Sequence, residues 1–453
     1  FGKQIDWNYG EFKKLWTYNL TYFDYLNQSN IVIDEGIELL HDFIDNYSHI
    51  KDGKEPYPVS LRLINVVKFI SYNNIKDTRV DDLVYSDTKL LLNRLEYHLL
   101  ANHLLENGFA LLFASYYLQD QNVFNESTKI LKNQLNEQIL GDGAHFELSP
   151  MYHQLMLYRV MDCIQLIRLN PDIFPARDLE LLLVNRAELM RSWLESICFN
   201  NGAIPLFNDS ANNINPTTLK LGAYADFLKI NFNKVSLKES MFRSFEVKGF
   251  ELKINCANIM PSYQPGHSHA DTFTFELSNS GLPFIVDTGL STYNIGNRRS
   301  IERATSSHNT VTLNEINSSN IWSGFRVANR ANVSILSESK NRLLAEHDGY
   351  KRYGVVHRRL WDFNSGFLKI KDNLVSKSNN KVVGIAYFHL HPNVEILEVL
   401  KNEVITNNGT LSFIGFKAIE ICKFHYAPEF NKLIPSNKIV VKFISNLETI
   451  LKK

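Results

Sequence analysis

The chain has few cysteines, no excess of charge of either sign and no long apolar run, and each of these absences excludes a class of protein. Its cysteines, Cys163, Cys198, Cys256 and Cys422, lie far apart and form no Cys-x-x-Cys pair, so neither a zinc knuckle nor a disulfide framework is indicated. Lys plus Arg number 48, as do Asp plus Glu, which argues against a nucleic-acid partner bound through bulk positive charge. No stretch of about eighteen apolar residues occurs, which excludes an ordinary transmembrane helix.

The length of 453 residues exceeds what one hydrophobic core usually supports, so two domains are expected. Residues up to about 230 have the periodicity of helices, since apolar side chains recur at steps of three and four in 35–50, in the leucine-rich stretch 88–118 and in 178–198. Short Asn, Asp, Gly and Pro breaks separate these stretches, a pattern that suits stacked antiparallel helical hairpins.

The periodicity changes to two from about Phe245 onwards. Residues 250–254, 367–371 and 438–443 alternate or form short β-rich runs between Asn, Gly and Ser turns, which indicates a large antiparallel β-sandwich. We therefore expect an α+β protein with a helical domain at 1–235 and a β-domain at 236–453. The chain begins at Phe1 rather than Met, so an N-terminal signal could have been removed. We expect a periplasmic or secreted protein rather than a cytoplasmic one.

Chemistry-bearing residues concentrate in the run Pro265-Gly-His-Ser-His-Ala-Asp271 and at two later positions, Asp287 and His308. Three short strands are predicted, each next to one candidate ligand: 272–277 after His269, 283–287 ending at Asp287, and 309–313 after His308. Residues at the ends of antiparallel neighbours can lie close together. The pattern also leaves His267 two positions from His269, on the same face of an extended strand.

Two imidazoles and one carboxylate suit Zn²⁺ with an open fourth position. His269, Asp287 and His308 are therefore the predicted ligands of a divalent metal, and Zn²⁺ is the ion expected. The alternative is that both histidines are satisfied loop or core residues and that Asp287 caps a turn before Gly289. Spacing alone leaves both interpretations open, because such triples arise often in a chain with 14 histidines.

The stretch from Gly266 to Asn309, with its His-x-His-Ala-Asp, Val-Asp-Thr-Gly and His-Asn-Thr-Val segments, resembles the heparinase II/III-type domain of polysaccharide lyases. Upstream, the chain is similar to the helical part of the same proteins in several segments: Lys14-Leu-Trp-Thr-Tyr-Asn-Leu20, Tyr22-Phe-Asp-Tyr25, Asn102-His103 with Glu106-Asn107, and Phe146-Glu-Leu-Ser-Pro-Met-Tyr-His153. The likeness covers nearly the whole chain. It implies an N-terminal (α/α) toroid followed by a C-terminal antiparallel β-sandwich.

The resemblance also implies catalytic roles for Asn102, His103, Tyr152 and His267. A lyase that acts on a C4-linked uronic acid must neutralise the carboxylate, remove the C5 proton and protonate the leaving oxygen. Asn102, with His103, would neutralise the carboxylate, whereas Tyr152 and His267 would transfer protons. From the residues alone, Asn102 and His103 would instead be a polar pair within a helix, and Tyr152 would simply pack its ring.

Further residues are candidates for substrate binding: Glu106, His153, Tyr293, Arg303 and Arg326. Glu106 shares a helical face with His103 and could orient its ring, while His153 is expected to be a structural or subsite residue. Tyr293 is a second candidate phenol. Arg303 and Arg326, with their arginine neighbours, would be clamps for acidic groups if they cluster at a cleft, or ordinary solvated charges if they do not.

Three functions remain open at this point. The first is a lyase that cleaves an acidic, uronic-acid-containing polysaccharide by β-elimination. The second is a metal-dependent polysaccharide hydrolase, although no His-Glu-x-x-His motif is present. The third is a non-catalytic carbohydrate-binding or assembly protein. The resemblance favours the lyase, and it implies that a metal, if bound, holds the strands that present His267 rather than taking part in the elimination.

Overall fold

The structure is a computed structural model that describes residues 5–364, 366–378 and 380–453. The α-helices are α1 (Lys14–Tyr22), α2 (Ile33–Asn46), α3 (Pro56–Tyr72), α4 (Thr78–Asn93), α5 (Ala101–Leu118), α6 (Gln121–Gln138), α7 (Pro150–Leu169), α8 (Arg177–Ile197), α9 (Thr218–Phe227) and α10 (Asn297–Glu302). The strands are β1 (Phe242–Val247), β2 (Phe250–Asn255), β3 (Phe275–Asn279), β4 (Leu282–Ile285), β5 (Val311–Leu313), β6 (Asn320–Trp322), β7 (Arg326–Ala328), β8 (Val333–Ser339), β9 (Arg342–His347), β10 (Val355–Asn364), β11 (Phe367–Ser376), β12 (Val383–His389), β13 (Ile396–Val399), β14 (Glu403–Thr406), β15 (Gly409–Glu429) and β16 (Lys432–Lys452).

The predicted order of a helical region followed by antiparallel sheets is confirmed. By its internal contacts the chain divides into two compact units. Unit one contains the residues up to Gln138 together with Tyr158–Ala187, and unit two contains Ile139–Leu157 together with Glu188–Lys453. The units are interleaved along the chain because α7 and α8 each supply residues to both. The domain boundary expected at residue 235 stays a prediction.

Unit one is built around α3 and α5, whose side chains are buried on nearly every face. At its centre, Arg62 donates from Nε to Asp87 Oδ2 at 2.7 Å and from Nη1 to the Gly53 carbonyl, so that the buried charge is both paired and hydrogen-bonded. The leucine-rich stretch 88–118 is broken between α4 and α5, where Leu100 has a φ of 59°. Among the residues that the structure describes, no helix has the length and apolarity that crossing a membrane requires.

Unit two contains the β-sandwich. One sheet has the strand order β1-β2-β3-β4, and the larger sheet has the order β13-β14-β15-β16-β11-β10-β9-β8, with β12 paired to β16 and to β5. The strand ladders are antiparallel. Side chains from both sheets, such as Phe275, Phe284, Trp361 and Phe443, form one apolar core. The apolar side chains that alternate along these strands therefore point towards the opposite sheet, and the core lies between the two sheets.

The three strands predicted around the histidine motif form, but they do not all pair with each other. β3 pairs with β4, whereas β5 pairs with β12 in the larger sheet. Asn309, just before β5, connects them, because its Nδ2 donates to the carbonyls of Phe275 and Val286 at 2.8 Å each. The ends of β3, β4 and β5 are thus brought together by a buried amide that bridges the two sheets, rather than by strand pairing alone.

Gly289 lets the chain approach a neighbouring segment closely after Asp287. Its φ is +72°, and a Cβ added there would lie 2.2 Å from the carbonyl oxygen of Ala427. The backbone N–H of Ala427 donates in turn to the Thr288 carbonyl. A side chain at position 289 would therefore push apart two hydrogen-bonded backbones.

We predict that Gly289→Ala lowers the free energy of unfolding by more than about 3 kcal/mol, because it combines backbone strain with a clash against main-chain atoms. Gly281→Ala is the matched control, since Gly281 has a φ of +81° but no atom within 4 Å of the added Cβ. The control should cost only about 1–2 kcal/mol. Urea unfolding of both variants measures the difference, and equal losses would show that the close approach at Gly289 has no energetic weight.

Candidate active site

Asp209 lies at the centre of a buried polar cluster in unit two. Its carboxylate accepts hydrogen bonds from both Nη atoms of Arg299, from His269 Nε2 at 2.7 Å and from His267 Nδ1 at 2.9 Å. Burial disfavours the charged form, but the Arg299 charge and the bonds from the two imidazoles hold the pKa of Asp209 well below its usual range. The carboxylate is therefore ionised, and both histidines must donate to it.

His267 projects from the loop before β3 and is oriented by Asp209. Because Nδ1 donates to the carboxylate, the ring nitrogen that can exchange a proton with a substrate is Nε2, which lies 3.6 Å from Glu147 Oε2. The imidazole ring centre is 4.1 Å from that of Tyr152. The backbone N–H of Asp209 also donates to the His267 carbonyl at 3.0 Å, so the loop that contains Asp209 is bonded directly to the loop that contains His267.

Tyr152 lies in the first turn of α7, two residues after Pro150, which begins the helix without needing an N–H partner. Its hydroxyl is 3.1 Å from the hydroxyl of Tyr293. Burial, followed by the neighbouring Tyr293, holds the pKa of Tyr152 well above its ordinary value. The phenol is thus protonated near neutral pH, and two predicted residues that are distant in sequence, Tyr152 and Tyr293, share one hydrogen bond.

His153, the neighbour of Tyr152, is tied to backbone. Its Nδ1 accepts from the His145 N–H at 3.1 Å, and its Nε2 lies 2.9 Å from the Met190 carbonyl, to which it donates. Burial lowers the pKa of His153 to about 3, so the ring is neutral. Of the two roles expected for His153, the structure supports the structural one, because contact with a substrate would require breaking one of these bonds.

The three predicted metal ligands lie near each other. His308 Nδ1 is 2.9 Å from Asp287 Oδ2, and the rings of His269 and His308 are 5.3 Å apart. His269 Nδ1 and His308 Nε2 are buried and have no hydrogen-bond partner within the described part of the chain, which suits imidazole nitrogens that bind a metal while the opposite nitrogens donate to carboxylates.

Asp287 fits the ligand set less well, because its carboxylate already accepts from His308 and from Thr274 Oγ1. Across residues 5–364, 366–378 and 380–453, no group of three or more His, Cys, Asp or Glu side chains is spaced to hold a metal ion. The two imidazole nitrogens are thus available as donors, whereas the metal, its third ligand and the identity of the ion stay predictions.

The arginines divide into buried braces and exposed charges. Arg303 is 1% exposed and donates to the Ser268 carbonyl at 2.8 Å, and burial lowers its pKa to about 10. Arg303 therefore stabilises the backbone between His267 and His269 through this bond. Arg326 is exposed, and its role as a clamp for acidic groups stays a prediction. Arg299, one of the arginine neighbours of Arg303 for which a clamp and a solvated charge were both considered, instead pairs with the buried Asp209.

A second polar network lies beneath this loop. Arg359 donates from Nη1 to the carbonyls of Phe273 and Asn309, and from Nε and Nη2 to Asp372. His357 Nε2 binds the same carboxylate at 2.7 Å. These groups are fully buried, and because each charge is paired and hydrogen-bonded, the network fixes the backbone next to His308 without an uncompensated ion.

In unit one, Asn102, His103 and Glu106 lie in the first turns of α5. His103 Nδ1 is 3.0 Å from Glu96 Oε1, so Glu96, and not Glu106 as expected, orients the ring. Glu106 is fully buried and pairs with Arg159 at 3.3 Å, which leaves it no surface with which to contact a substrate. The substrate-binding role of Glu106 stays a prediction, whereas the residue that contacts the His103 ring is Glu96.

Several functional candidates carried no sequence signal. Asp209 follows Asn208 in a loop without periodicity, and Glu96 lies in the break between α4 and α5. Glu147 belongs to the segment 146–153 that carries part of the family resemblance, but its contact with His267 depends on the tertiary structure. A carboxylate in a loop is usually solvated, so only the three-dimensional structure distinguishes these from the chain's other acidic residues.

The family descriptions "Heparinase II/III N-terminus" and "Heparinase II/III-like, C-terminal" match residues 82–236 and 229–446. A heparin-sulfate lyase of Bacteroides stercoris is 23% identical over 346 residues, which are 69% of this chain and 48% of that protein. A heparin-sulfate lyase of Pedobacter heparinus is 26% identical over 217 residues, 42% of this chain and 31% of that protein. The chain thus spans half or less of the length of these relatives.

Among solved structures, the crystal structure of a heparinase III superposes with a TM-score of 0.68 at 18% identity, covering 92% of this chain and 73% of that one. A heparan sulfate lyase from Pedobacter heparinus gives a TM-score of 0.63 at 17% identity, covering 100% of this chain and 78% of that one. At such identities the likeness concerns the fold alone. The predicted fold class is confirmed.

We predict that Asp209→Asn lowers the free energy of unfolding by about 3–5 kcal/mol, because it leaves the buried Arg299 guanidinium without its counter-charge. Glu346→Gln is the control, since it neutralises one partner of a more exposed ion pair with Arg358 and should cost less than about 1 kcal/mol. Chemical denaturation of both variants is the measurement. A loss for Asp209→Asn no larger than for the control would contradict the central role given to this carboxylate.

Proposed function

The chain belongs to the heparinase II/III-type family, and we propose from this premise that it is a polysaccharide lyase that cleaves a C4-linked uronic-acid polymer by β-elimination. The observation that supports the proposal best is the arrangement of His267 and Tyr152, with their ring centres 4.1 Å apart. A base and an acid must lie on the same small region of the sugar to remove the C5 proton and protonate the C4 oxygen. A purely binding protein has no physical need for such a pair.

In the proposed reaction, His267 Nε2 takes the C5 proton while Nδ1 remains bound to Asp209, which stabilises the imidazolium that forms. The electron pair of the C5–H bond forms the C4=C5 double bond, and the bond from C4 to the glycosidic oxygen breaks. Tyr152 gives its phenolic proton to that oxygen. Its raised pKa suits an acid rather than a base, because the phenol is protonated before the reaction.

The substrate carboxylate must be neutralised before C5 can lose its proton, because a second negative charge would otherwise develop beside it. We propose that Asn102, with His103, supplies these hydrogen bonds. The proposal rests on the family resemblance together with the contact between His103 and Glu96, which would hold the ring in a fixed orientation. Asn102 is itself 2% exposed, at the start of α5.

We further propose that a divalent metal, expected to be Zn²⁺, is held by His269 Nδ1 and His308 Nε2, with Asp287 as the third predicted ligand. When bound, the ion would supply positive charge that ties the loop carrying His267 to the start of β5. His267 itself keeps its bond to Asp209 in this arrangement, so proton transfer does not depend on the ion directly. The role is therefore one of support.

The substrate class that we propose is an acidic polysaccharide that resembles a glycosaminoglycan or a bacterial surface polymer. Two curated relatives are called heparin-sulfate lyases, which supports a uronic-acid-containing substrate without fixing its sulfation. The equal numbers of basic and acidic residues favour a polymer with little sulfate. We propose a periplasmic or secreted location, where such polymers are found.

We predict that the protein produces ultraviolet absorbance from a conjugated C4=C5 uronate when it is incubated with heparan sulfate, heparin, hyaluronan, chondroitin, alginate or unsulfated glucuronate polymers in turn. Tyr152→Phe should lower the rate at least about a hundredfold, because it removes the proton donor. Tyr387→Phe is the matched control: it deletes a buried hydroxyl of the same unit, bonded to Thr312 at 3.2 Å, and should leave the rate unchanged. If new reducing ends form without this absorbance, the protein cleaves its substrate by hydrolysis and the proposed elimination is wrong.

We predict that His269→Ala lowers both the metal content and the melting temperature of the purified protein, because it removes one imidazole nitrogen from the proposed site. Elemental analysis by mass spectrometry gives the metal stoichiometry independently of activity. His98→Ala, at an exposed position, is the control and should alter neither quantity. An unchanged stoichiometry in His269→Ala would refute the ligand assignment.

A further inference from the structure

The hairpin formed by β6 and β7 places its tip beside the candidate base of unit two. The strands pair as far as Trp322 and Arg326, so three residues form the tip. The last of them is Phe325, whose ring centre lies 6.4 Å from that of His267. A Cβ added at Gly266, the neighbour of His267, would lie 3.8 Å from the Phe325 Cβ, which is ordinary van der Waals contact. The tip therefore lies against the loop that carries His267.

Two buried arginines of the candidate site hold this hairpin in place. Arg299, which pairs with the carboxylate at the centre of the site, donates from Nε to the Gly324 carbonyl at 3.0 Å. Arg303 donates from Nη2 to the Ser268 carbonyl at 2.8 Å and to the Arg326 carbonyl at 3.5 Å. The arginines that organise the loop of the candidate base thus also fix the position of the hairpin tip.

The Phe325 ring is covered on one face and open elsewhere. The guanidinium carbon of Arg299 lies 5.2 Å from the centre of the ring, within the range of a cation–π contact. Arg299 is 1% exposed, whereas 36% of the surface of Phe325 is exposed. The exposed surface of Phe325 therefore lies away from the face that the guanidinium covers, and it is available to a ligand bound at His267.

Two further rings continue this surface away from His267. The ring centre of Tyr293 is 5.5 Å from that of Phe325, and the ring centre of Phe430 is 5.0 Å from that of Tyr293. We call Phe325, Tyr293 and Phe430 the ring strip. Benzene rings carry no charge to pair with a carboxylate or a sulfate, but their faces pack well against apolar C–H groups. The strip therefore suits the C–H face of a sugar ring rather than its acidic group.

The position of the strip indicates which sugar would contact it. The uronate must lie over His267 and Tyr152, whose ring centres are 4.1 Å apart. In the proposed elimination, the sugar that leaves keeps the glycosidic oxygen, and Tyr152 protonates that oxygen. The Tyr152 hydroxyl is 3.1 Å from the Tyr293 hydroxyl, so the strip reaches the place where this oxygen would lie. The sugar beside the strip is therefore the one that leaves.

We propose that Phe325 is a specificity-determining residue that packs its open surface against the sugar released by the elimination. The inference rests on the proposed lyase function and adds to it a subsite for the leaving sugar, which is recognised through its C–H face and not through charge. A sugar held equally well before and during the reaction contributes to KM and leaves kcat unchanged.

We predict that Phe325→Ala raises KM about five- to tenfold and leaves kcat within about twofold, because it removes the ring against which the leaving sugar packs. Phe325→Tyr keeps the ring and should retain the KM of the unaltered protein. Tyr353→Ala is the matched control, since it removes a ring of unit two that is 48% exposed and lies outside the strip. Rates are followed by ultraviolet absorbance with the polymer that is cleaved fastest among heparan sulfate, heparin, hyaluronan, chondroitin, alginate and unsulfated glucuronate polymers.

Isothermal titration calorimetry separates binding from chemistry. In the Tyr152→Phe protein, which lacks the proposed proton donor, a tetrasaccharide of the same polymer should bind about five- to tenfold more weakly when Phe325→Ala is added. Adding Tyr353→Ala instead should leave the affinity unchanged. Equal affinities with and without Phe325→Ala would contradict the subsite.

Three kinetic results would overturn the inference while the lyase function stands. The first is an unchanged KM in Phe325→Ala. The second is a lower kcat at unchanged KM, since Phe325 would then support His267 rather than bind a sugar. The third is a raised KM in Phe325→Tyr as large as in Phe325→Ala, which would exclude contact through the ring. Absence of the absorbance with every polymer would instead overturn the lyase function, and the subsite with it, so the two failures are distinguishable.

Discussion

The candidate site in unit two depends on one buried carboxylate. Asp209 accepts hydrogen bonds from Arg299, His267 and His269 at once, so a single negative charge fixes the orientation of two imidazoles. Burial of an ion is expensive, and here the guanidinium supplies the counter-charge in the bidentate geometry that carboxylates bind best. The loop that carries both histidines contains no strand, so it is held by this ion pair together with the bond from Arg303 to the Ser268 carbonyl.

The remainder of the site is held by buried polar groups that bridge the two sheets. Asn309 bonds to backbone on both sides of the β3–β4 ladder, and Arg359 bonds to the carbonyls of Phe273 and Asn309. An apolar core fills space without specifying direction, whereas these bonds specify which backbone atoms meet. The sandwich therefore offers a rigid base for His308, and α7 presents Tyr152 from its first turn.

In the helical unit, several buried charges form ion pairs with each other. Arg62 with Asp87, Arg159 with Glu106 and Lys68 with Asp162 are each paired inside it. Each of these buried carboxylates therefore has its counter-charge within the same unit.

The amino-acid sequence by itself determined the order of helices and strands, because periods of 3.6 and 2 reflect which side chains must be buried locally. It also indicated His267, His269 and His308, whose spacing and family resemblance lie within one short stretch. Only the tertiary structure decided that Asp209 joins two of these histidines, that Glu96 replaces Glu106 as the partner of His103, and that Arg299 is a brace. Such contacts join residues that are far apart in sequence or that lie on either side of the interruption between two helices. Each contact depends on how the helices, strands and loops pack, and the local periodicity of the sequence carries no information about that packing.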